Sequence, residues 1–62
     1  MNLDEKSNRN FMKCIEELTE LSVELIHAVN KPSKENLEKI CAEIKDVEKY
    51  LSLVKEHCNA KK

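Results

Sequence analysis

The chain has 62 residues, 11 basic against 12 acidic side chains, a net charge of −1 and no glycine. That length excludes more than one domain, and a chain so short buries only about 60% of the surface it exposes unfolded, so a metal, a disulfide or a partner chain is needed. The charge balance, with no basic block beyond Lys61-Lys62, disfavours nucleic acid as a partner. No apolar run is long enough for a signal peptide or a membrane span, which leads us to expect a soluble, cytoplasmic protein without membrane contact.

Taken in order, residues 1–10 are polar apart from Met1 and Leu3 and are expected to form a flexible arm, with Asp4 or Ser7 able to cap a short turn. From Phe11 the apolar period is helical. Phe11, Cys14, Leu18, Leu21, Leu25 and Ala28 alternate spacings of three and four, flanked by Ile15, Ile26 and Val29. Asn30-Lys31-Pro32 ends this helix, because proline drives the residue before it out of helical geometry. Ser33 then caps a second helix, with Asn36 at the third helical position. Its seam of Leu37, Ile40, Ile44, Val47, Leu51, Val54 and Cys58 holds a heptad pattern to about residue 58, and residues 59–62 are expected to fray.

The expected fold class is therefore all-α: an antiparallel hairpin over residues 11–58. Phe11, Ile15, Ile26, Tyr50 and Leu53 exceed what one helix can cover, so two hairpins should associate as a four-helix bundle, in a dimer or a tetramer. Cys14, Cys41 and Cys58 lack C-x-x-C spacing and read as buried or half-buried side chains of a reduced protein. His27 reads as an exposed histidine near a helix end, and His57-Cys58 has no second pair to complete a zinc site.

The acidic residues carry the chemistry. Glu16-Glu17-Leu18-Thr19-Glu20 is followed after 22 residues by Glu43-Ile44-Lys45-Asp46. Glu17 and Glu20 share a helical face, and so do Glu43 and Asp46. A turn centred on Lys31-Pro32 is equidistant from Glu20 and Glu43, and again from Glu17 and Asp46. Four carboxylates then converge between the helices, beside the expected apolar seam. Such a group repels itself unless a positive charge sits within it, and hard oxygen donors point to Mg²⁺.

Glu-Glu-x-x-Glu followed by Glu-x-x-Asp resembles the signature of the all-α nucleoside triphosphate pyrophosphohydrolases, the MazG-like family, over residues 11–58. The resemblance implies a site for Mg²⁺, with Mn²⁺ as a substitute, held by Glu17, Glu20, Glu43 and Asp46. It implies cleavage of an NTP or dNTP to a monophosphate and pyrophosphate, with Glu16 and Glu17 in catalytic roles and Glu16 orienting the water. Tyr50 corresponds to an aromatic beside the base, and Lys49 or Lys45 is placed to reach a phosphate. Relatives carry further helices, so the missing half of the bundle should come from another subunit. Two alternatives stand beside the enzyme: an oligomer that holds a nucleotide without cleaving it, and a helical interaction module.

Overall fold

The computed structural model describes residues 3–60; Met1, Asn2, Lys61 and Lys62, on which parts of the expected arm and tail fall, lie outside the described residues. Helix α1 spans Glu5–Asn30 and helix α2 spans Lys34–Ala60, packed against each other as a hairpin. Among the described residues there is no strand. At about 1.5 Å per residue, helices of this length reach roughly 40 Å, in keeping with the 42 Å long dimension of the molecule.

Local chemistry explains both starts and the single stop. Asp4 is extended (φ −71°, ψ 171°), and its carboxylate accepts the Ser7 N–H at 2.7 Å. Glu5 adds a negative charge in the first turn, where the helix dipole favours one. With no glycine or proline to interrupt it, α1 takes in residues 5–10, which the polar composition had suggested as part of the arm. Lys31, held at φ −148° and ψ 79° before Pro32, donates its N–H back to the His27 carbonyl at 2.8 Å. Ser33 Oγ accepts the Asn36 N–H at 3.1 Å, as expected, while Asn36 Nδ2 donates to the Lys31 carbonyl at 2.7 Å and ties the new helix to the end of the old one. Helix α2 continues through Asn59 and Ala60, beyond its expected end.

The seam between the helices is rotated from the one expected. The half-buried and buried positions along the seam of α1 run Ser7, Asn10, Cys14, Glu17, Leu21, Glu24, Ala28, and those of α2 run Asn36, Ile40, Glu43, Val47, Tyr50, Val54, His57, with Phe11 and Leu53 half-buried to either side. Leu18 (42% exposed), Leu25 (47%), Leu37 (58%), Ile44 (40%) and Leu51 (45%), all expected in the seam, face outward instead. The apolar arc of α1 is too wide for one neighbouring helix, so α2 covers only its edge, along the smaller Cys14 and Ala28 and the carboxylates beside them. The cysteines divide in the same way: Cys14 is buried, whereas Cys41 and Cys58 are exposed, against the expectation that all three are at least half-buried.

The buried apolar residues are Cys14 and Val47 alone among those described. At the open end, away from the turn, Ser7 Oγ and His57 Nδ1 lie 3.0 Å apart, and the Phe11 and His57 rings meet edge to face with centroids 5.5 Å apart. This pairing ties the open ends of the two helices together. Among the described residues no helix is long and apolar enough to cross a membrane. Because Ser33 supplies the cap at the turn, Ser33→Ala is expected to lower the unfolding free energy by about 1 kcal/mol. Urea titration at fixed protein concentration checks this.

Candidate metal centre

Helical spacing puts Glu17 on the seam of α1, with Glu20 one turn on at its edge; Glu43 and Asp46 repeat the arrangement on α2. The hairpin register brings the two sets to one height. Carboxylate oxygens of Glu17, Glu43 and Asp46 all lie within 4.8 Å of one another. That is about the span across an ion whose metal–oxygen distances are ~2.0–2.6 Å. Glu17 is buried, at 7% exposure, Glu43 is half-buried, and Asp46 is exposed. The group thus grades from interior to solvent along one edge of the hairpin.

Its electrostatics are those of crowded like charges. The Glu43 carboxyl is pushed above the ordinary carboxylate range, first by burial, then by the negative charges of Glu20 and Glu17, with a hydrogen-bond contribution from Glu17 and the charge of Asp46 adding to them. One oxygen each of Glu17, Glu24 and Glu43 is buried without a hydrogen-bond partner. Unmet buried acceptors in a row are costly. On α1 itself the relief comes from Lys13, whose Nζ lies 3.5 Å from Glu16 and 3.9 Å from Glu17. The Lys13 pKa is raised, chiefly by Glu16, with smaller contributions from Glu17 and Tyr50. Lys13 is about half exposed, so it neutralises the rim and leaves the inner oxygens of Glu17 and Glu43 unmet.

Not every expected site residue joins the cluster. Glu17, Glu43 and Asp46 converge, whereas Glu20 is exposed and its carboxylate stays outside the group of three while its charge still acts on Glu43. Glu16 is exposed and paired with Lys13. Lys49 Nζ sits 5.3 Å from the centroid of the Tyr50 ring, and the half-buried Tyr50 lies close enough to Lys13 to act on it. Lys45 is exposed, and helical spacing turns it away from α1.

Sequence reasoning passed over Lys13, although its spacing of four from Glu17 and three from Glu16 is the signal for such pairs. Glu24, seven residues on from Glu17 and so on the same edge of the helix, has an unmet oxygen that extends the acidic row toward the turn. Oxygen donors alone, from carboxylates on two facing helices, suit Mg²⁺ or Mn²⁺ rather than a softer ion. No protein-family model, curated protein or solved structure matches the chain.

The raised Glu43 pKa fixes a sign. In the folded, metal-free protein Glu43 holds its proton to higher pH than in the unfolded chain. Its stabilising contribution is therefore complete below the ordinary carboxylate pKa and is lost as pH rises through the raised value. Glu43→Gln is expected to remove that loss. Thermal melts in chelator should show the variant gaining on the parent between pH 4 and pH 7.

Proposed function

We propose that the chain is a Mg²⁺-dependent nucleoside triphosphate pyrophosphohydrolase, acting in the cytoplasm as a dimer or tetramer. The observation that carries this reading is the convergence of Glu17, Glu43 and Asp46 at one height with buried oxygens left unmet. Those three would hold the ion, with the exposed Glu20, one turn on from Glu17, available as a fourth oxygen donor. When bound, the ion neutralises phosphate oxygens and lowers the pKa of a coordinated water. Glu16, exposed at the same level, accepts the proton of the attacking water. The water oxygen bonds to the α-phosphorus, the bridge to the β-phosphate breaks, and a monophosphate and pyrophosphate leave. Tyr50 offers a ring face to the base and Lys49 a cation to the phosphates, one turn past Asp46.

A second reading is favoured by the openness of the edge: Asp46 and Glu20 are exposed, and the described residues enclose no pocket. Hydrolysis needs water, ion and leaving group aligned together, whereas holding a nucleotide tolerates a looser site. In that reading the oligomer sequesters a nucleotide without cleaving it.

Calorimetry with Mn²⁺ tests the site, and a panel of NTPs and dNTPs with Mg²⁺ tests the chemistry. Glu43→Gln is expected to weaken Mn²⁺ binding by about tenfold or more, in line with the loss of one charged ligand. Pyrophosphate release that disappears in Glu20→Gln is the enzyme's signature, and stoichiometric retention of intact nucleotide is the sequestering oligomer's. Absence of Mn²⁺ binding sinks the metal-centred reading.

A further inference from the structure

We propose that Lys13 is a tethered counter-ion that regulates the carboxylate group: it holds the charge of Glu17 in the metal-free protein and competes with the divalent cation for it. This role rests on the metal-centred reading of Glu17, Glu43 and Asp46, and it does not depend on what the bound ion then catalyses.

Lys13 stands three residues before Glu16 and four before Glu17, so all three share one side of α1. Its Nζ lies 3.5 Å from a Glu16 oxygen and 3.9 Å from a Glu17 oxygen. The two pairs are unlike. The Glu16 side chain is 60% exposed, whereas that of Glu17 is 10% exposed and has an oxygen buried without a hydrogen-bond partner. Solvent screens the first pair more than the second. Lys13 therefore matters more to Glu17, although it touches Glu16 more closely.

One ammonium is too little charge for the group. It faces three carboxylates whose oxygens lie within 4.8 Å of one another, and it reaches Glu17 alone of the three. Among the described residues no other lysine is in ion-pair reach of them. Lys49, three residues past Asp46, lies over the Tyr50 ring at 5.3 Å from its centroid, and Lys45 is exposed on the side of α2 turned from α1. Counting from the turn sets Lys13 level with Tyr50, one helical turn beyond the level of Glu17 and Asp46. It approaches the group from its end and not from its centre.

At 3.9 Å the ammonium is a loose partner for Glu17. A divalent cation brings twice the charge at metal–oxygen distances of about 2.0–2.6 Å, and like charges that close repel. Glu16 lets Lys13 yield without being stranded, since it is already the nearer partner and is exposed. Lys13 keeps Glu16 while Glu17 passes to the ion. Two opposite effects follow. In the metal-free protein Lys13 steadies the seam; toward the ion it is a competitor, and so it sets the concentration at which the centre fills.

The test compares the parent with Lys13→Met, which removes the charge and keeps an apolar stem, and with Lys13→Arg, which keeps the charge. Lys55→Met is the control. It lies nine residues past Asp46, about 13 Å along the helix and beyond the ~8 Å screening length at physiological salt. In calorimetry at a single pH, Lys13→Met is expected to bind Mn²⁺ about threefold more tightly than the parent, a change on the scale of a half-exposed ion pair. In chelator the same variant is expected to melt about 4 °C or more below the parent, and saturating Mn²⁺ to narrow that gap. Lys13→Arg and Lys55→Met are expected to stay close to the parent in both measurements. A lysine with only a structural role gives another pattern, because its loss disturbs Glu17 and weakens stability and Mn²⁺ binding together. Lys13→Met that binds Mn²⁺ no more tightly than the parent, or that stays unfolded in saturating Mn²⁺, overturns the proposal. A parent that binds no Mn²⁺ sinks the metal-centred reading and this role with it. A parent that binds Mn²⁺, beside a Lys13→Met variant that gains nothing, sinks this role alone.

Discussion

Two helices that meet over carboxylates rather than leucines must deal with repulsion where most hairpins gain from apolar burial. Glu17 and Glu43 stand between α1 and α2 with Asp46 at their edge, and an oxygen of each glutamate is buried and unmet. Every other feature adjusts to that fact. Lys13 leans across its own helix to the rim of the group. Small side chains at Cys14 and Ala28 let the helices approach on either side of it. The capped turn and the Ser7–His57 contact hold the two ends together while the middle pushes apart. A seam arranged in this way gives up apolar burial along its carboxylate edge.

The same rotation of the helices that places acids inside places aliphatics outside. Leu18, Leu25, Leu37, Ile44 and Leu51 are at least 40% exposed because Glu17, Glu24 and Glu43 beside them occupy the seam. A hairpin so built has little hydrophobic core, and at this chain length apolar burial is the term that must offset conformational entropy. The site and the bare face are thus two results of one choice of helix orientation. Neither can be altered by turning a helix without disturbing the other.

Much of this was legible in the residues. The stop at Lys31-Pro32 and the Ser33 cap are local, and the structure bears them out in the all-helical hairpin; of the four carboxylates that counting from the turn sets level, Glu17, Glu43 and Asp46 come together and Glu20 does not. The orientation of each helix about its own axis was not legible. The apolar arc of α1 runs from Leu25 through Leu18 to Ile15 and Ile26, and its centre does not mark the direction of α2. Choosing the edge marked by Cys14 and Ala28 depends on close approach between helices, which a hydropathy pattern does not encode. The start of α1 was missed for a related reason: residues 5–10 lack apolar periodicity, and a cap at Asp4 with a contact to α2 makes them helical. The Ser7–His57 pair lies 50 residues apart in sequence and becomes visible only once the register is known.

That pair also bears on how the chain reaches its fold. The tightest loop in the molecule is the Asn30–Ser33 turn, and every contact farther from it closes a longer loop at a slowly growing entropic cost. The carboxylates midway along the hairpin therefore close a loop of intermediate length, and Ser7 with His57, 50 residues apart, closes a longer one. That far contact ties the helices together beyond the carboxylates, where it opposes their separation.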